Sequence, residues 1–256
     1  MTDAATGATT SLTTQQTAHA ATIAAVGASR GLSHRAVTIA LATAFQESSM
    51  RNLTYGDRDS LGLFQQRPSY GWGSPEQVMD PVHASNRFYQ GLARVTRYEE
   101  LPLTVAAQRV QRSAYPDAYA KHEPRAHLLA SALTGQDGVA LRCSVSAAER
   151  YGDTGTVRQE LIRAFGSDRV SGTEPADVTS AVATDTGIAV PVADGGPAAG
   201  DRARAVARWA VAHADSLKIQ RVAFDGQVWE AGERKGDWGK DASARSDAVL
   251  LSTARV

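Results

Sequence analysis

Residues Ala44 to Gly73 read A-F-Q-E-S-S-M-R-N-L-T-Y-G-D-R-D-S-L-G-L-F-Q-Q-R-P-S-Y-G-W-G. The stretch opens as the end of an apolar helix and delivers one carboxylate, Glu47. A polar loop comes next with two further acids, Asp57 and Asp59. Ser60 to Gln66 then carries two adjacent amides, Gln65 and Gln66, and an aromatic, glycine-rich rim closes the stretch with Tyr70 and Trp72. An acid at a helix end, amides facing it and aromatics at the edge are the parts that grip a sugar chain and protonate a glycosidic oxygen.

Upstream, Ser33 caps the helix that carries the acid. Val37, Leu41 and Phe45 recur at i, i+4 and i+8, with Ala40 and Ala44 beside them, so this helix has one buried face. Glu47 falls at the edge of that face. Partial loss of water there raises a carboxyl pKa and keeps a proton available near neutral pH. Ser60 predicts a short capped helical turn through Gln66, stopped by Pro68. Further upstream a helix fits Thr14 to Arg30, rich in alanine and ended by Gly31, while residues 1 to 12 are expected to be disordered.

Downstream, Ser74-Pro75 and Asp80-Pro81 each read as a helix start with proline at the first position. The second helix is expected to run to about Tyr98, with Val82, Phe88, Leu92 and Val95 inside. Thr104 caps a helix to Arg112, a break carries Tyr115, and Asp117 opens a helix through Ala132. After that the character changes. Ala147 to Phe165 reads as an interrupted helix, and 170–200 reads as loose except for a strand-like run from Ile188 to Val192. Asp201 caps a helix to Leu217, and two strands joined by Asp225-Gly226 form a hairpin, with a last strand at Ala248 to Ser252. The expected fold class is therefore α+β: an all-helical domain over 13–136, a connector over 137–200 and a small α+β unit over 201–256.

Composition narrows the function classes. Acids and bases balance at 27 each, which disfavours nucleic acid as a partner. The longest apolar run, Ala36 to Phe45, is too short for a transmembrane segment. No signal peptide is visible at the N-terminus. The single Cys143 reads as a small buried apolar side chain. Arg94, Arg97, Arg109 and Arg112 make a basic strip that reads as a solvated helix face.

The spacing E-S, then G-D-R, then S-x-G-L-F-Q resembles the signature of the lysozyme-like lytic transglycosylases and goose-type lysozymes, over roughly residues 13 to 135. The resemblance implies that Glu47 is the general acid, that Ser60 and Gln65 belong to a turn lining the sugar cleft, and that Tyr115 approaches the acid from a later helix, with Tyr119 as its rival. Asp57 falls where a supporting aspartate of the goose-type enzymes stands, and a second such position falls on Arg67. The expected catalytic pair is Glu47 and Asp57. The expected substrate contacts are Ser60, Gln65, Gln66, Tyr70, Trp72 and Tyr115.

The C-terminal part resembles a zinc D,D-carboxypeptidase-like module found beside lysozyme-like domains in secreted actinobacterial proteins. Its ligand segments correspond to Thr184–Pro191 and Asp247–Leu250, where apolar residues stand at most ligand positions, so an inactive module without metal or other cofactor is expected. His213 reads as a packing residue. Together these expectations describe a monomer of the cell wall or extracellular space. It would cleave peptidoglycan glycan strands at the MurNAc–GlcNAc β-1,4 bond, as a muramidase or a lytic transglycosylase. The alternative is a peptidoglycan-binding module with little or no turnover.

Overall fold

The computed structural model describes the chain except for residues 4–6, 114–115, 137–138, 148–151, 167–181, 184–186, 193–196, 234 and 254–256. Among the described residues the architecture is mixed α+β. A short strand β1 (Thr2–Asp3) precedes helices α1 (Thr14–Ser29), α2 (His34–Ser48), α3 (Pro75–Val78), α4 (Pro81–Leu92), α5 (Leu103–Gln111) and α6 (Glu123–Leu133). Then come β2 (Val139–Ala140), α7 (Thr154–Gly166), β3 (Val182–Ala183), β4 (Gly187–Pro191), α8 (Pro197–Ala212) and α9 (Ala214–Leu217). The chain finishes with β5 (Arg221–Phe224), β6 (Gln227–Glu230), β7 (Gly239–Lys240) and β8 (Ala248–Ser252).

Helix α1 is the packing hub. Thr13 and Gln16 form a capping box at its start. From Ala20 to Gly27 every residue is buried, and half are alanine, so neighbours approach on all sides. It packs against α2, α4 and α6 of the helical part and against α7 and α8 of the C-terminal part. The buried Tyr89 hydroxyl donates to Ile23 O at 3.0 Å, and Thr22 Oγ1 meets His213 Nε2 at 3.2 Å. One hydrophobic core thus runs from the helices into the sheet.

The C-terminal strands pair antiparallel in the order β3-β4-β8-β5-β6-β7. Asp225 and Gly226, both at positive φ (49° and 72°), make the two-residue turn between β5 and β6. Ile188, Val190, Val249 and Leu251 alternate inward, and α8 covers β5 and β8. Cys143 is buried as expected, and its carbonyl accepts the Trp229 indole N–H at 2.9 Å.

Several elements differ from the sequence reading. α4 stops at Leu92, and Val95 still reaches the core from the turns beyond it. Asp117 lies in a 3-10 segment, Pro116–His122, and α6 begins only at Glu123. Pro124 in its first turn lacks the N–H that a continuous helix would need. α8 starts at Pro197, so Asp201 is inside it rather than at its cap. The N-terminus is tied down: β1 pairs with β2, and the Met1 ammonium donates to Thr10 O at 2.8 Å. Most of the stretch expected to be loose lies outside the described residues.

Candidate functional site

Ser33 caps α2 as expected, and buried side chains cover most of the helix. Its end is sharp: Ser49 and Met50 both adopt left-handed backbone, with φ 54° and 61°. Ser48 ties this end to a later loop. Its hydroxyl lies 2.7 Å from Leu63 O and 3.0 Å from Ala44 O, and it accepts from Arg51 N at 3.2 Å. The E-S pair therefore couples the acid to the segment that faces it.

That segment is not helical. Leu61 and Gln66 exchange both backbone hydrogen bonds, at 3.0 and 3.1 Å, closing a four-residue turn, and Gly62 N bridges to Leu53 O at 2.8 Å. Gly62 sits at φ +77°, and a Cβ there would lie 2.3 Å from Val78 O, so no other residue fits. Pro68 does not stop a helix; it opens the 3-10 turn Pro68–Tyr70.

Glu47 is half-buried at the C-terminal end of α2. The Tyr119 hydroxyl donates to its Oε1 at 2.6 Å. The Gln111 amide nitrogen donates to Phe64 O at 2.7 Å, and the same side chain hydrogen-bonds the Glu47 carboxyl. Burial raises the carboxyl pKa above the ordinary glutamate value, and the bonds from Tyr119 and Gln111 oppose that rise in part. Burial, the Glu47 charge and the hydrogen bond to it together push the Tyr119 phenol above its ordinary range, so it stays a donor.

The 3-10 segment carrying Tyr119 is clamped to α2. His122 meets Gln46 Oε1 at 3.2 Å and stacks on Phe45, while Arg35 bonds Glu123 at 2.5 Å. Tyr119, named as the rival of Tyr115, is thus bonded to the acid, while Tyr115 lies outside the described residues. Gln111 was not read from the sequence, because the last residue of an ordinary amphipathic helix carries no motif. Its one signal is a polar residue one position after the buried Val110.

Beside this group a cleft of ≈ 710 Å³ opens between the turn, α4 and α5. Gln65, Tyr70 and Trp72 line it, as does Gln111. Tyr70 is 67 % exposed, and Trp72 is half-buried with part of its ring against the core. Tyr55, at 66 % exposed, lies on the preceding loop. Gln65 is half-buried, and its amide donates to Gly62 O at 3.2 Å and Tyr55 O at 3.3 Å.

The remaining residues have other partners or lie exposed. Gln66 also borders the cleft, but it is only 2 % exposed and its amide donates to Ala84 O at 3.1 Å, which pins the turn to α4. Ser60 is buried and donates its backbone N–H to Asp57 O at 3.0 Å. Asp57 itself is exposed on the loop. Asp59 is tied to Arg67 Nε and Ser69 N, both at 2.8 Å, and these partners hold its carboxyl far below the ordinary aspartate range.

No protein-family model matches this chain, and no curated protein sequence matches it. In the C-terminal part, the two segments set against zinc-ligand segments do lie side by side. Pro191 pairs with Ala248 and Ala189 with Leu250, so apolar side chains stand at these positions, while Thr184 is outside the described residues. Among the described residues no group of three His, Cys, Asp or Glu converges to hold a metal. His213 stacks on Trp209 with centroids 4.2 Å apart, and its Nδ1 bonds Trp209 O at 2.9 Å.

Proposed function

We propose that this protein cleaves the glycan strands of peptidoglycan at the MurNAc–GlcNAc β-1,4 bond, with Glu47 as the proton donor. The observation that carries the reading is the acid's setting. A half-buried carboxyl at a helix end is held by Tyr119 and Gln111, favoured in its protonated form, and adjoined by a cleft with aromatic walls. The family resemblance around Glu47, Ser60 and Gln65 supplies the substrate class.

In this reaction Glu47 gives its proton to the glycosidic oxygen as the C1–O bond breaks, leaving a carboxylate beside an oxocarbenium-like sugar. Two groups can then attack C1. An activated water would give a reducing end, whereas the sugar's own 6-hydroxyl, losing its proton to Glu47, would give an anhydro end. The second route needs no other base. The groups that set the ionisation of Glu47 include no carboxylate, Asp59 is bound to Arg67, and Asp57 is exposed on the loop. These observations favour the anhydro-forming transglycosylase.

The test is turbidity loss on purified cell walls by wild type and Glu47→Gln, with mass analysis of the released fragments. Loss of activity in Glu47→Gln and anhydro ends from the wild type are expected. Equal activity in both proteins removes Glu47 from the reaction, and reducing ends replace the transglycosylase by a muramidase.

A further inference from the structure

Among the described residues, the cleft beside Glu47 is lined by five arginines, Arg67, Arg87, Arg94, Arg109 and Arg112, and by no aspartate or glutamate. Two of the five are engaged. Arg67 bonds Asp59 and lies over the Tyr70 ring with its Cζ 4.3 Å from the centroid. Arg87 donates to Gln90 Oε1 at 3.0 Å and to Gly71 O at 2.7 Å. Arg94, Arg109 and Arg112 are exposed, and among the described residues none has a side-chain hydrogen bond or an ion pair.

Their convergence is built by the backbone. Arg109 and Arg112 are three residues apart across the end of α5, and Arg94 lies just past the end of α4. The two helices approach closely because Gly91 of α4 faces Val110 of α5; a Cβ on Gly91 would lie 2.9 Å from Val110 Cγ1. The helix dipole favours cations at the end of α5, which explains why Arg109 and Arg112 are tolerated there without carboxylates. The end of α4 favours Arg94 in the same way, but the dipoles do not account for a cleft wall that, among the described residues, carries no acid. The neighbouring Arg97 shows the alternative: it points to Glu100 and is outside the cleft lining.

We propose that this cleft binds the carboxylate-bearing substituents of the glycan, so that the substrate is an anionic glycan rather than the bare sugar chain. This rests on the glycosidase reading of Glu47. A guanidinium fork matches a carboxylate with two parallel hydrogen bonds, and an unpaired one on a cleft rim has both of its donors to give. Tyr70 and Trp72, on the same walls, offer flat faces for the sugars that carry those groups. Gln111 belongs both to the cleft and to the surroundings of the acid, which sets the cleft next to Glu47 although the carboxyl is not one of its lining groups. The chain as a whole has a formal net charge of zero, so the positive field of the cleft is local and suits a ligand with discrete anionic groups.

The test measures binding with the full chain carrying Glu47→Gln, so that turnover does not consume the ligand. The probes are GlcNAc oligomers and peptidoglycan glycan oligomers of equal length bearing carboxylate-ended peptide stems, followed by calorimetry at two salt concentrations. The carboxylated oligomer is expected to bind about tenfold tighter than the neutral one at low salt, with the preference shrinking as salt rises. Replacing Arg94, Arg109 and Arg112 together by alanine should reduce that preference to about twofold or less and leave the neutral oligomer's affinity unchanged. Arg97→Ala should keep the preference.

Equal binding of the two oligomers, or a preference that survives the triple replacement, overturns the proposal. So does a single-stranded oligonucleotide that binds as tightly with the same arginine dependence, since it would assign the cleft to phosphate chains. These readouts do not need catalysis. Wild-type activity equal to that of Glu47→Gln on cell walls would remove the glycosidase reading while leaving the carboxylate preference to be judged by itself.

Discussion

In the C-terminal sheet Arg221 reaches Asp241 at 2.5 Å and Glu230 at 3.4 Å, Arg245 is paired with Asp247, and Arg142 meets Asp237 at 2.7 Å. In the cleft between α4 and α5, three arginines stand exposed with no such partner among the described residues. The same side chain thus does two jobs. Around the sheet it neutralises a neighbour and leaves little field for a ligand; on the cleft it keeps its charge and its donors for something that is not part of the chain. The amides bordering the cleft behave like the sheet arginines, with Gln66 donating to Ala84 O, Gln65 to Gly62 O and Tyr55 O, and Gln111 to Phe64 O.

The sharpest way to break this comparison is at the acid. Glu47→Gln should lower activity on cell walls by about 10²- to 10⁴-fold, as expected for the loss of a general acid. Its stability should move the other way. Burial raises the Glu47 pKa, so the protonated acid stabilises the fold fully below the unfolded-state value, and that contribution is lost as pH rises through the raised folded-state value. The variant, which cannot ionise, should therefore melt above wild type at about pH 7 and level with it at about pH 4. Thermal scans at the two pH values check this, and a lower melting point at neutral pH would mean that Glu47 is a structural carboxylate.

Gly62→Ala should cost about 2–4 kcal/mol, measured by urea unfolding, because it combines a left-handed backbone with a clash against Val78 O. Activity should fall with the turn. Tyr119→Phe should lower activity by about tenfold and shift the alkaline limb of the pH profile upward, because the lost bond is one that lowers the Glu47 pKa. An unmoved limb would place Tyr119 in packing alone.

Away from the cleft, effects should be confined to stability. His213 is held down to about 4 by burial, with a smaller contribution from the facing His19. A depressed histidine is favoured neutral in the fold, so stability is kept above the ordinary value of 6.5 and lost as pH falls from there toward 4. Stability should drop by about 1–2 kcal/mol over that window, and His213→Gln should flatten the slope. The smallest effect belongs to Arg245→Ala. Its exposed pair with Asp247 should leave the melting temperature within about 1 °C and both oligomer affinities unchanged. A loss of glycan binding in this variant would erase the distinction between the two regions.

Local signals were legible in proportion to how much of their physics is local. The caps at Ser33, Ser74 and Asp80 and the Asp225-Gly226 turn all depend on residues a few positions apart, and each stands where its pattern puts it, whereas α2, read as having one buried face, is buried all round from Ala36 to Phe45 because other helices surround it. Glu47 was readable because it follows just after that apolar run, where the helix comes out of the core. The turn after Ser60 was misread as helical because its shape is set by Leu53, Val78 and the Ser48 hydroxyl, which come from elsewhere in the chain. Gln111 became visible only once α4 and α5 were brought together, and the strip of Arg94, Arg109 and Arg112, read as a solvated helix face, then proved to line a cleft, since a guanidinium on a helix end looks the same in sequence whether or not an acid waits across from it.

The shared amide of Gln111 has one more consequence. Its carbonyl oxygen is buried and accepts no hydrogen bond among the described residues, while its nitrogen serves Phe64 O and its side chain also bonds the acid. Closed off from solvent, that oxygen leaves the nitrogen side of the amide to join the turn at Phe64 to the acid. A side chain of another shape at this position would disturb both at once, and a carboxyl without this bond would keep its proton more firmly. The strength of the acid is thus tied to the seating of a neighbouring loop through one amide.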